Sequence, residues 1–209
     1  MKKVIVLGTG MVGSAIAIDL SRDYSVTAVD LNYSNSKNIP PINNINYISE
    51  DISSQNKLEK TINGFDLIIG ALPGFMGYKT LQNVISLGKN IVDISFFNED
   101  PFTLDELAKQ KNATAVVDCG ISPGLSNIIV GYLNRKLKIT KYKCFVGGLP
   151  FNKSWPYNYK AFFSPSDVIE EYTRPARLVL NGDVVVKDAL SEPELIDFEE
   201  VGTLEAFNT

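Results

Sequence analysis

Histidine is absent from this 209-residue chain. That excludes a Ser-His-Asp triad, a histidine-ligated metal site and any imidazole proton shuttle. Proton transfer falls instead to Asp, Glu, Lys, Tyr, Cys or water. Cysteine is scarce as well: Cys119 and Cys144 lack metal-ligand spacing and read as reduced thiols of a cytoplasmic protein, so no metal centre is expected. No apolar run approaches the ~20 residues needed to span a bilayer. Lys2-Lys3 leads into a strand-like run instead of a signal peptide. Positive charge is not in excess, and a net charge of −4 with a pI near 5.0 argues against a general nucleic-acid or anionic-membrane surface. What remains is an ordinary globular composition, 44% hydrophobic and 21% charged. The length suits one large domain, or one domain plus part of a second.

The most informative stretch that is present is KKVIVLGTGMVGSAIAIDLSRDYSVTAVD, residues 2–30. A short apolar run, Val4 to Leu7, is followed by Gly8-Thr9-Gly10-Met11-Val12-Gly13. An amphipathic segment comes next, then a second apolar run ending at Asp30, 17 residues after Gly13. A G-x-G-x-x-G motif alone is weak, but between a strand-like and a helix-like run it is a dinucleotide-binding fingerprint. Gly8 permits the tight turn, Gly10 lets the backbone approach a pyrophosphate, and Gly13 lets the helix pack closely on the strand. The diphosphate would meet the N–H groups and positive dipole end of the helix. Asp30 would accept hydrogen bonds from the adenosine ribose hydroxyls and repel a 2′-phosphate, which favours NAD over NADP. Asn32, Tyr33 and Ser34 are neighbours that could soften that choice.

Apolar and amphipathic runs alternate up to about residue 118. Strands are expected at 3–7, 25–30, 45–49, 65–71, 90–95 and 113–118, and helices at 11–22, 53–62, 76–87 and 101–111. Ser53 and Asp100 suit N-caps, Pro101 a first helical position, and Gly88 the position after a helix end. The pattern predicts an α/β, doubly wound parallel sheet of Rossmann type with strand order 3-2-1-4-5-6. Beyond 118 the rhythm changes. A helix at 124–136 leads to Tyr142–Gly147 and a Gly/Pro/aromatic segment, and Ser164-Pro165 opens a short helix. Asn181-Gly182 reads as a two-residue hairpin turn, and short strands follow at 194–198 and 203–207. The expected division is a dinucleotide domain at 1–125 and an α+β substrate and dimerisation domain at 126–209.

In an open parallel sheet the ligand lies outside the carboxyl ends of the strands. The candidates there are Asp51, the small or restricted Ala71-Leu72-Pro73-Gly74 loop suited to pass a nicotinamide ribose, Asp93 with Ser95, and Asp118. Carboxylates at the ends of inner strands are costly unless paired, hydrogen-bonded or used, and a cationic amine would suit them. Capping a following helix is an equal reading of either residue. Two of the four arginines, Arg174 and Arg177, follow Glu170-Glu171. Arginine suits bidentate carboxylate recognition, yet an ion pair at a helix end serves these residues as well. Trp155, Tyr157, Tyr159, Phe162 and Phe163 suit either a pocket lining or a small core.

ALPGFMGYKT (71–80), VDISFFNEDPFTL (92–104), DCGISPGLSNIIVG (118–131), VGGLP (146–150) and SPSDVIEEYTRPARLVLNG (164–182) occur in this order. Together they resemble the saccharopine dehydrogenase-like family, most closely its lysine 6-dehydrogenase branch, over essentially the whole chain. The resemblance implies NAD-dependent oxidative deamination of the ε-amino group of L-lysine. It implies cofactor contacts at Gly8 to Gly13, Asp30, Asp51, Leu72 and Ser95, and substrate contacts at Asp93, Asp118, Tyr159 and Arg174. A homodimer with an amino-acid or polyamine-like substrate is the corresponding assembly. With no histidine, Asp118 or Asp93 is the expected base for the substrate nitrogen, and Arg174 the partner of the α-carboxylate. Saccharopine or carboxynorspermidine dehydrogenase or reductase activity is the alternative within the family. A non-catalytic NAD-sensing regulatory domain of the potassium-channel type shares the length and glycine loop, but leaves DCGISPGLSN and EEYTRPAR unexplained. Members of the family continue well past G-T-L-E-A-F (202–207), so the second domain is expected to be truncated at Thr209.

Overall fold

Val4 to Leu7 are four consecutive buried residues, a pattern that a strand can hold only when both faces of its sheet are covered. The computed structural model, which describes residues 1–32, 37, 39–152, 154–156, 159–160 and 164–209, places this run at the centre of a parallel sheet. Its strands are β1 (Lys3–Leu7), β2 (Ser25–Asp30), β3 (Ile45–Ser49), β4 (Leu67–Gly70), β5 (Ile91–Asp93) and β6 (Ala115–Val116). The order is β3-β2-β1-β4-β5-β6, as the sequence pattern predicts. Helices α1 (Met11–Leu20), α2 (Gln55–Ile62), α3 (Gly74–Ser86) and α4 (Asp105–Lys111) make the connections, and α5 (Leu125–Asn134) follows β6. Alternate residues of β1 serve opposite faces. Ile5 and Leu7 pack with Leu58, Ile62, Leu81, Ile85 and Ile91 from α2, α3 and β5. Val4 and Val6 pack with Ala17 of α1, Val26, Ala28 and Ile69.

The element ends differ from the sequence reading where side chains take over the backbone. Asp51 Oδ1 accepts the Ser53 N–H at 2.9 Å, a local turn that delays the helix, so Ser54 and not Ser53 is the N-cap of α2. The run at 101–111 is divided into a 3-10 turn, Pro101–Leu104, capped by Asp100, and the short α4. β4, β5 and β6 are shorter than expected because the chain leaves the ladder early. Asp93 turns back to hold the Ser95 N–H, and Asp118 has a φ of 55°, outside strand geometry.

The chain forms two compact units, Met1–Tyr142 and Lys143–Thr209. The sequence reading divides it at 125, whereas the compact units group α5 with the sheet. In the second unit, α6 (Pro165–Glu171) begins at Ser164, whose hydroxyl pairs with that of Ser166 and does not cap the helix. β7 (Ala176–Leu180) and β8 (Asp183–Lys187) form a hairpin in which Asn181 and Gly182 have φ of 54° and 94°, as a type I′ turn needs. β9 (Glu194–Phe198) and β10 (Gly202–Ala206) form a second antiparallel pair. Tyr142–Gly147 has no regular structure. Trp155 is 90% exposed and belongs to no buried core, while Tyr159, Tyr172 and Phe207 form a chain of edge-on ring contacts. Tyr33, Ser34, Tyr157, Phe162 and Phe163 lie outside the described residues.

Candidate functional site

The strand order reverses between β1 and β4, and this switch point opens a crevice at the carboxyl edge of the sheet. Register aligns the ends: Leu7 lies beside Val29 and Gly70, and Gly70 lies beside Asp93. The glycine loop begins here. Gly8 has a φ of +93° and donates its N–H to Val29 O at 2.8 Å. A Cβ on Gly13 would stand 2.1 Å from Gly8 O, so helix and loop touch through their backbones. A Cβ on Gly10 would meet nothing within 4 Å, leaving that side of the loop open. Gly10 is the N-cap of α1 and supplies no side-chain cap, and Met11 and Val12 are exposed beside it. The N–H groups of Met11 to Gly13 therefore have no carbonyl one turn earlier in the helix and no side-chain cap from Gly10, the arrangement that holds a diphosphate.

At the end of β2, Asp30 Oδ2 accepts the Thr9 N–H at 2.8 Å and the Thr9 hydroxyl at 3.2 Å. Oδ1 accepts the Asn32 N–H at 2.9 Å. Beside β1, Ala71 donates its N–H to Leu7 O at 2.8 Å, and half-buried Ala71, Leu72 and Pro73 lead into α3. Asp51 is engaged by Ser53, whose hydrogen bonds hold the carboxyl below its usual range, with Lys57 Nζ at 3.9 Å.

Asp93 is only 1% exposed. Its Oδ1 accepts the Ser95 N–H at 2.7 Å, while Asp93 Oδ2 and Ser95 Oγ are buried oxygens without a hydrogen-bond partner among the described residues. Gly70 makes room for the carboxylate: a Cβ there would lie 1.8 Å from Oδ2. Burial pushes the Asp93 carboxyl up to about 6, against the pull of the Ser95 N–H, and the charge of Asp118 adds to the rise. Asp118 itself is exposed beyond β6. Next to it, the Cys119 N–H donates to Asp93 O at 3.1 Å. Burial and the two carboxylates push the Cys119 thiol up, away from reactive thiolate character.

Thus Gly8 to Gly13, Asp30, Asp51, Ala71 to Pro73, Asp93, Ser95 and Asp118 share one edge of one sheet. Tyr159 and Arg174 belong to the second unit. There Arg174 is ion-paired with Glu170 one helical turn away, and burial next to Tyr172 pushes the Tyr159 hydroxyl up to about 12. The sequence reading missed the roles of Gly70 and Asn32. A glycine ending one strand where an acid ends the next is the signal that points to Gly70. Nothing in the sequence marks the Asn32 amide. Among the described residues no three His, Cys, Asp or Glu side chains converge to hold a metal, and no helix is long and apolar enough to cross a membrane.

The family model for the saccharopine dehydrogenase NADP binding domain matches residues 4–116, and that for the saccharopine dehydrogenase C-terminal domain matches residues 120–209. The chain belongs to the saccharopine dehydrogenase family. Its first unit carries a pyridine-nucleotide-binding domain. Within the family, the chain is 28% identical over 195 residues to mouse mitochondrial alpha-aminoadipic semialdehyde synthase, covering 88% of this chain and 21% of that protein. It is 25% identical over 198 residues to the fission yeast saccharopine dehydrogenase [NADP(+), L-glutamate-forming], covering 90% and 44%. The fold also matches the apo L-Glu-forming saccharopine dehydrogenase of Saccharomyces cerevisiae, with a TM-score of 0.75 and 18% identity over 99% of this chain and 49% of that one. The chain thus spans less than half the length of these relatives.

Proposed function

We propose that this chain forms the dinucleotide-binding part of an oxidoreductase acting on the carbon–nitrogen bond of an amino-acid-derived amine, with saccharopine as the first candidate substrate and NAD as the dinucleotide. The observation that carries this reading is an uncapped α1 N-terminus over the glycine loop beside the Asp30 carboxylate at the end of β2. Gly10 to Gly13 would hold the diphosphate, Asp30 the adenosine ribose, and Ala71 to Pro73 with Ser95 the nicotinamide end. Bound nicotinamide would supply the hydride acceptor. Exposed Asp118 is the better base to take the proton from the substrate nitrogen, because Asp93 is buried behind the Ser95 N–H. Arg174 would have to exchange Glu170 for a substrate carboxylate. The names of the relatives support saccharopine, while the motif segments point toward free lysine as the second substrate to test. A cytoplasmic homodimer without membrane or nucleic-acid partners completes the reading.

The fission yeast relative and the matching domain model are named for NADP, and Asp30 is the reason for expecting otherwise here: a carboxylate at this place accepts ribose hydroxyls and repels a 2′-phosphate. Fluorescence titration with NADH and NADPH tests the cofactor, and tighter NADPH binding would overturn the Asp30 argument. Asp30→Ala should weaken NADH by about 1.5–3 kcal/mol, the worth of hydrogen bonds to a charged acceptor. Saccharopine, lysine and carboxynorspermidine offered with NAD test the substrate through formation of reduced nicotinamide. Turnover of lysine alone would move the substrate to that branch.

A further inference from the structure

Thr9 lies between the first two glycines of the loop, fully buried, and both of its donors end on one atom. Its N–H and its hydroxyl reach Asp30 Oδ2 at 2.8 and 3.2 Å, while the Asn32 N–H holds Oδ1 at 2.9 Å. The backbone turn does not need this hydroxyl, because Gly8 makes the turn. A buried valine would fill the same space. The hydroxyl therefore has a role that shape alone does not explain. A carboxylate has roughly four acceptor sites, so three donors leave room for a ribose hydroxyl. An acceptor whose rotamer is already fixed loses less freedom when its ligand arrives.

We propose that the Thr9 hydroxyl positions Asp30, holding its carboxylate in the orientation that accepts an unmodified ribose and rejects a 2′-phosphate. Thr9 thereby helps set the choice of dinucleotide through Asp30. The proposal rests on Asp30 being the ribose acceptor, and its test separates the two ideas.

NADH and NADPH affinities are measured by fluorescence on the same samples of the full chain, so that their ratio is independent of the folded fraction. Thr9→Val should weaken NADH about fivefold and leave NADPH nearly unchanged, less than the loss of a full hydrogen bond to a charged group because the Thr9 and Asn32 N–H groups still hold the carboxylate. Thr9→Ser, which keeps the hydroxyl, should restore the ratio. In an Asp30→Ala background, Thr9→Val should leave the ratio where Asp30→Ala alone puts it, because the two residues act as one unit. An unchanged ratio in Thr9→Val, or a serine variant that behaves like valine, overturns the positioning role while leaving Asp30 as the selector. If Asp30→Ala itself does not move the ratio, the ribose reading fails, and the proposal with it.

Discussion

At Asp93 two physical effects oppose one another: burial disfavours the carboxylate, while the Ser95 N–H at 2.7 Å favours it. Burial prevails, and the carboxyl rises from 3.8 to about 6. The folded protein therefore binds this proton more tightly than the unfolded chain. Between those two values the native state holds more protons, so stability falls as pH rises, and above about 6 the full cost of the charge is present. A rise of that size corresponds to a cost of roughly 3 kcal/mol. Urea unfolding of wild type and Asp93→Asn at pH values spanning this window should show a steeper fall in wild type than in the variant. An equal slope in both would mean that the carboxylate is solvated. Candidate residues at the strand ends were legible in the sequence as chemical types. Their surroundings were not: Asp93 and Asp118 read alike as strand-end acids, yet one is buried behind Ser95 and the other faces solvent. Register across β4 and β5 makes that difference.

The elements follow local patterns until a side chain competes with the backbone. The Ser54 hydroxyl accepts the Lys57 N–H at 3.4 Å, a long bond. Ser54→Ala should lower stability by about 0.5–1 kcal/mol, the lower part of the range for an N-cap. Ser53→Ala should cost less, because the Ser53 hydroxyl meets only the solvent-exposed Asp51 carboxylate, which keeps the backbone N–H of Ser53. Chemical denaturation of the two variants distinguishes them. At the start of α1, Gly13→Ala should force the helix away from Gly8 O, where the new Cβ would otherwise stand at 2.1 Å. A clash against backbone should cost roughly 1–3 kcal/mol. It should also weaken NADH binding, since the N–H groups move with the helix. Retained affinity in this variant would separate the loop from the nucleotide site.

At the scale of the whole molecule the two units differ in how they are held. The large buried side chains Ile5, Leu7, Leu58, Ile62, Ile68, Leu81 and Ile85 all lie in the first unit. Ala176 is the buried hydrophobic residue among the described residues of the second. Since apolar burial is the main favourable contribution to folding, residues 1–142 alone should unfold cooperatively. They should keep NADH affinity within about threefold, because the nucleotide residues lie on their own core. Calorimetry and fluorescence titration of that fragment provide the measurement, and loss of binding would assign residues 143–209 a part in the nucleotide site. The sequence alone determined the doubly wound sheet, the glycine turn and the Asn181-Gly182 hairpin, because buried parallel strands need continuous apolar runs and tight turns need particular residues. Both are local properties. Only the tertiary structure decided that Thr9 meets Asp30 across 21 positions, that Gly70 yields its side-chain space to Asp93, and that Asp93 is buried while Asp118 is exposed. Those contacts depend on which strand lies beside which, and in what register, and no local pattern carries that information.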